Sequence, residues 1–179
     1  MSVSVDGFIS DREGGLGWSA PGDEQFLFHL AQVRELGALI LGRRLYETMV
    51  VWETDNSVRD TEAGADFADA WGAIPKVVFS RTLRGVEGNA RLATASLKEE
   101  IAAAGESTTK DVEIGGAGLA SEAIRLGLVD EIRMFRNPVI VGGGTPFLPA
   151  VDTELQLDLI ETRTFGRRVI YERYRRIHE

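Results

Sequence analysis

Cysteine is missing altogether, which excludes disulfide staples, thiolate metal sites and a cysteine nucleophile. Histidine is scarce, with His29 and His178 the two imidazoles, too few for a histidine-rich metal centre. Positive charge is short as well. Twenty lysines and arginines face 28 aspartates and glutamates, for a formal net charge of −8, and general nucleic-acid binding needs a basic face that this balance does not supply. No apolar run approaches the roughly 20 residues that span a bilayer. The opening Met1-Ser2-Val3-Ser4-Val5-Asp6-Gly7 also lacks the basic and apolar regions of a secretory leader. These absences set the expectation of a cytoplasmic protein that acts on a small molecule, with no metal, nucleic acid or membrane as partner.

What is present suits one globular domain over residues 1–179, since 44% of the chain is hydrophobic and 27% charged. Residues 2–10 alternate small polar and apolar positions as a strand does. Gly14, Gly15, Gly17 and Gly22 then crowd a segment that reads as a mobile loop. Phe26, Leu27, Leu30, Val33 and Leu36 make one helical stripe, and Ala38 to Leu41 read as a buried strand. The acidic stretch 53–66 has no periodicity and reads as a loop, with a short helix near Phe67 to Trp71. Strands follow at Lys76–Phe79, near Ala90–Leu92 and at Asp111–Ile114, with helices at Leu97–Ala104 and Leu119–Leu126. After that the pattern becomes β-rich, with strands predicted at 130–136, 138–141, 155–164 and 168–174. The order predicts an α/β fold, with a mostly parallel sheet finished by antiparallel strands.

Three of the predicted strands end alike, in LILGRR (39–44), VVFSRT (77–82) and EIGGAG (113–118). In an open α/β sheet the carboxyl ends of the strands share one edge, where ligands usually sit. Gly42 lets backbone approach closely, and Arg43 or Arg44 adds a charge, although both cannot face the same ligand. Ser80, Arg81 and Thr82 offer hydroxyls and a guanidinium suited to a lone phosphate. Gly115, Gly116, Ala117, Gly118 and Leu119 repeat the strand–glycine–helix turn. Any one such turn is ordinary geometry, whereas three in a chain of this size point to a nucleotide. The usual dinucleotide fingerprint does not fit, because Ser121 stands where its third small residue belongs.

Taken with SVDGFIS (4–10), LVDEIRM (128–134) and PVIVGGGTPFLP (138–149), these segments cover nearly the whole chain. In that order the sequence resembles the dihydrofolate-reductase-like superfamily. Within it, the likeness is to the reductase domain of the riboflavin-biosynthesis deaminase/reductase and its stand-alone bacterial relatives. The resemblance implies a dihydrofolate-reductase-like three-layer α/β/α fold, NADPH as cofactor and a homodimer. It implies further that Gly42, Arg43 and Arg44 lie at the cofactor phosphates and that Ser80 and Arg81 take the adenosine 2′-phosphate. Gly115 to Leu119 would wrap the pyrophosphate and nicotinamide side, and a loop at about 11–20 would close over the nicotinamide. Members of this type carry more apolar residues ahead of the first strand, so the expectation is either a short first strand or a chain that starts slightly late.

Two carboxylates are candidates for the proton. Dihydrofolate reductases carry a Trp-x-x-Pro-x-Asp pattern, and Trp18-Ser19-Ala20-Pro21-Gly22-Asp23 matches its spacing. Asp23 therefore serves either as that acid or as an ordinary helix N-cap. Asp6 lies where the first strand ends, and is either a second acid or half of a turn-forming Asp-Gly pair. Glu47, His29 and the Gly142-Gly143-Gly144 turn read as structural. The activity implied is NADPH-dependent reduction of a small heterocyclic or ribosyl-linked substrate, most nearly 5-amino-6-(5-phosphoribosylamino)uracil. Dihydrofolate or pterin reduction is the alternative, and a nucleotide-binding module without efficient chemistry is the alternative of another class.

Overall fold

The computed structural model describes residues 1–177; His178 and Glu179 lie outside the described residues. In chain order the elements are β1 (Ser2–Ser4), β2 (Phe8–Ser10), α1 (Asp23–Arg34), β3 (Leu36–Gly42), α2 (Arg43–Met49), α3 (Val51–Thr54) and α4 (Glu62–Ala73). They continue with β4 (Lys76–Phe79), β5 (Ala90–Leu92), α5 (Leu97–Glu106), β6 (Asp111–Gly115), α6 (Ala117–Arg125), β7 (Glu131–Asn137), β8 (Thr145–Pro146), β9 (Leu157–Phe165) and β10 (Val169–Arg176). Contacts gather these into two compact units, a central one over Phe26–Ala120 and a terminal one made of Met1–Gln25 with the chain from Ser121 onward.

The central unit holds a parallel sheet in the order β5-β4-β3-β6. β3 is its middle strand, and Leu36, Ala38, Leu39, Ile40 and Leu41 are all buried. A strand covered on both faces is an unbroken apolar run, which is how this segment reads in sequence. Leu30, Val33, Phe67, Trp71, Ile74 and Val78 pack with it into one core. The helices are delimited by local chemistry. Thr61 caps α4 by accepting the Gly64 N–H at 3.0 Å, and Ser96 with Glu99 forms a reciprocal capping box on α5. At the other end of α4, the buried Lys76 ammonium donates to the carbonyls of Trp71 at 2.7 Å and Ile74 at 2.8 Å. The same ammonium pairs with Glu53 at 3.0 Å.

The terminal unit is built differently. Its sheet runs β1-β7-β10-β9, with β1 parallel to β7 and the remaining pairs antiparallel. A separate short ladder joins β2 to β8. The Phe135 ring, on β7, packs at a tilt against Tyr171 and Phe165 with centroids 4.9 and 6.1 Å away, and all three are buried.

Four expectations are corrected. The strand expected over 2–10 is two strands, because Gly7 takes φ +90 and returns its N–H to the Ser4 carbonyl. Leu36 belongs to β3 rather than to the preceding helix, which closes at Arg34. The 53–66 stretch holds the end of α3, a 3₁₀ turn at Asn56–Arg59 and the start of α4; its caps are the polar residues that had read as loop. Residues 138–141 form no strand. Pro138 has no N–H to give a ladder, and the Val141 N–H is taken by a side chain.

Candidate active site

The central unit brings the three glycine and arginine turns to one sheet edge. Gly42 is in register with Phe79 on β4, and Leu41 with Gly115 on β6. The turns after β3, β4 and β6 therefore leave the sheet side by side. Gly42 and Gly116 approach so closely that a side chain on Gly116 would lie 3.4 Å from the Gly42 nitrogen, and Gly116 itself has φ +98. Both requirements select glycine there.

The three glycines at the end of β6 do different things. Gly115 is buried, and a Cβ on it would strike Leu45, so its role is packing. Gly116 makes the turn. Gly118 is exposed with open space where a Cβ would project. The first bond of α6 runs from Ala120 N–H to the Gly116 carbonyl, which leaves the N–H groups of Ala117, Gly118 and Leu119 ahead of it. Such donors, with the positive end of the helix dipole, suit an anion.

The cations divide too. Arg43 is engaged along α2 by both oxygens of Glu47 at 3.1 Å. Arg44 and Arg81 are exposed, and their guanidinium groups carry no hydrogen bond or ion pair among the described residues. Ser80 is not a free hydroxyl acceptor. Its Oγ takes the backbone N–H groups of Thr82 at 3.1 Å and Leu83 at 2.9 Å, closing the turn on which Arg81 and Thr82 stand. Its hydroxyl also lies 3.5 Å from the Thr82 hydroxyl, and either of the two could be the donor. Two open clefts of about 410 and 590 Å³ also lie in this unit, and neither is lined by any of these turn residues.

The candidate acids are in the terminal unit. Asp23 is the first residue of α1, one place inside the helix rather than at its cap. Its carboxylate is exposed and has no partner among the described residues. Asp6 is committed elsewhere: Oδ1 accepts the Val141 N–H at 3.2 Å and Oδ2 the Gly142 N–H at 2.8 Å. The Ser4 hydroxyl, then the Gly142 and Val141 amides, hold it below the usual carboxylate range. A carboxylate so stabilised is a poor proton donor near neutrality.

Burial pushes the His29 imidazole down to about 4, so it is neutral at pH 7. No group of three or more acidic or histidine side chains that could hold a metal ion occurs among the described residues. No described helix is long and apolar enough to cross a membrane.

Sequence reasoning passed over two groups. Arg12 donates to the Gly142 carbonyl at 2.6 Å, a contact 130 residues away in sequence and marked by no motif. Trp18 had served as a spacing landmark, yet its indole N–H is buried without an acceptor among the described residues.

These features can be set beside known proteins. The chain is 30% identical over 175 residues to the uncharacterized protein YyaP of Bacillus subtilis (strain 168), covering 95% of this chain and 89% of that one. Three solved structures share its fold. A protein from Shewanella sp. PV-4 named for riboflavin biosynthesis superposes with a TM-score of 0.77 at 22% identity, covering 99% and 97% of the two chains. The diaminohydroxyphosphoribosylaminopyrimidine deaminase/5-amino-6-(5-phosphoribosylamino)uracil reductase of Thermotoga maritima gives 0.66 at 17% identity, over 98% of this chain and 55% of that one. Dihydrofolate reductase of Enterococcus faecalis, complexed with NADP(H), gives 0.59 at 20% identity, over 98% and 92%. The model of the RibD C-terminal domain matches residues 1–171, and the chain belongs to that family.

Proposed function

We infer that this protein is an NADPH-dependent reductase, acting on a substrate most nearly like 5-amino-6-(5-phosphoribosylamino)uracil. The observation that carries this reading is the alignment of three parallel strand ends, with two glycine turns in contact and two partner-free arginines beside them. The residues present fit the cofactor. Ala117, Gly118 and Leu119 would offer backbone donors to its pyrophosphate, and the open Gly118 leaves room for close approach. Arg81, with Thr82 and the Ser80 proton, would take a 2′-phosphate. Arg44, free of Glu47, would be the better placed of the adjacent arginines for a phosphate. The bound nicotinamide supplies the hydride, and the chain's own work is binding, orientation and electrostatics.

The test is a calorimetric titration of native protein and Arg81→Ala with NADPH and NADH. NADPH should bind at least about tenfold tighter, roughly 1.4 kcal/mol, and Arg81→Ala should remove the difference while leaving NADH unchanged. NADPH oxidation should then follow addition of 5-amino-6-(5-phosphoribosylamino)uracil. Binding without turnover across a broad substrate panel would favour a nucleotide-binding module, and no binding of either nucleotide would end the reductase reading.

Dihydrofolate or pterin reduction is the second reading, favoured by the free Asp23 carboxylate at the start of α1. It requires dihydrofolate-dependent NADPH oxidation that Asp23→Asn abolishes.

A further inference from the structure

Residues 5–12, which lead into the segment expected to be a mobile loop, are fastened to one other stretch of the terminal unit. Val5 N–H donates to the Val139 carbonyl at 2.9 Å, and Phe147 N–H to the Gly7 carbonyl at 2.9 Å. Beyond Gly7, β2 pairs with β8, Phe8 opposite Pro146 and Ser10 opposite Thr145. The tip is braced internally as well, since Asp11 Oδ1 accepts the N–H groups of Glu13 at 2.9 Å and Gly15 at 2.7 Å.

One residue is gripped on both sides. The Gly142 N–H goes to Asp6 at 2.8 Å, and the Gly142 carbonyl takes Arg12 at 2.6 Å. The neighbours explain the triple glycine. A Cβ on Gly143 would lie 2.7 Å from the Arg12 Nε, and one on Gly144 would strike the Ser10 carbonyl. Gly143 and Gly144 also take φ +133 and +136, so both shape and conformation require glycine where the two segments meet.

We propose that residues 5–15 and 139–147 form one strap that opens and closes as a unit, with Asp6 and Arg12 as its two clasps on the backbone N–H and carbonyl of Gly142. Asp6 is then a positioning residue rather than a proton donor. Local opening in folded proteins proceeds in cooperative blocks, and here the block is set by cross-segment bonds instead of by either loop alone. The proposal is independent of the reductase reading.

Amide hydrogen exchange of the native protein and of Arg12→Ala tests it without any nucleotide. Arg12 is exposed, and its removal takes no hydrogen bond from the amides of Val141 or Phe147. Faster exchange at those amides therefore reports shared opening. The expected result is an acceleration of roughly tenfold at Val141, Gly142 and Phe147 together with Asp11 and Gly15, partly rescued in Arg12→Lys. The buried β3 and β4 amides of Ile40 and Val78 should not change. Acceleration confined to residues 11–15, or none at all, overturns the strap. Asp6→Asn should reproduce the pattern, and if it fails to fold the Arg12 pair of variants decides alone.

Discussion

The two units solve the burial of charge in opposite ways. The central unit takes ions inside. Lys76 and Glu53 are 1% and 7% exposed as a pair, and Glu100 is 3% exposed beneath a half-exposed Arg91. The terminal unit lays its charges on a sheet. Glu131 there accepts from Arg133, Arg173 and Arg175, while Arg136 pairs with Glu172 across β7 and β10. A parallel sheet covered on both faces leaves a charge no route to water, so each must be saturated. Lys76 reaches two carbonyls and a carboxylate, and Glu53 also receives the Asn89 N–H at 2.7 Å. On the β7–β10 pair one carboxylate, Glu131, is shared by Arg133, Arg173 and Arg175, which are 25%, 30% and 59% exposed. Losing one partner should therefore cost far more in the central unit than in the terminal one.

The largest effect is expected from Lys76→Ala. It strands Glu53 and uncaps α4, and chemical denaturation should show a loss of about 3–5 kcal/mol. A loss below about 1 kcal/mol would break the contrast between the units.

Glu100→Gln comes next, and it carries a sign that pH can read. Arg91, followed by the Thr94 and Ala95 amides, lowers Glu100 to about 2 despite its burial. Its folded pKa is below the unfolded value, so its contribution is full above about pH 4.5 and is lost as pH falls towards 2. With screening around the half-exposed Arg91, we expect about 1–3 kcal/mol at pH 7. The native and Glu100→Gln curves should converge in acid; parallel curves from pH 7 to 3 would refute the assignment.

Gly115→Ala and Gly118→Ala form a pair within the candidate site. The first collides with Leu45 and should cost about 1–3 kcal/mol of stability. The second points into open space and should cost none, while weakening NADPH binding. Equal stability losses would show that both glycines serve the fold.

Among the ion pairs, the smallest effect belongs to Glu131→Gln. Burial raises this carboxyl, but Arg133, Arg173 and Arg175 outweigh it and hold it below the usual range. Only about 1 kcal/mol should be lost, and less in high salt, because the arginines it leaves are solvated. A loss matching that of Lys76→Ala would erase the distinction between the two regions.

Legibility followed the same divide. β3 and β4 were readable because their burial writes an apolar run, and β6 because polar and apolar residues alternate along it; the ends of β3 and β6 were readable because glycine stands where each strand turns straight into a helix. The 53–66 helices were hidden, since the residues that start helices are also those that fill loops. The two acids were readable as residue types but not as roles. Nothing near Asp6 in the chain indicates that its carboxylate will be spent on Val141 and Gly142, more than 130 residues away. Nor does the Asp23 spacing tell whether that carboxylate caps α1 or stands free.

The sequence by itself determined the α/β class, the shared edge of three strand ends and the family, because each rests on local pattern or on the order of segments. Tertiary structure alone decided which arginine stays free, which hydroxyl is consumed, which aspartate is a clasp and which glycine is packing. Those outcomes depend on partners brought together by folding, and a side chain's chemistry is settled by whichever donor or acceptor reaches it first in space.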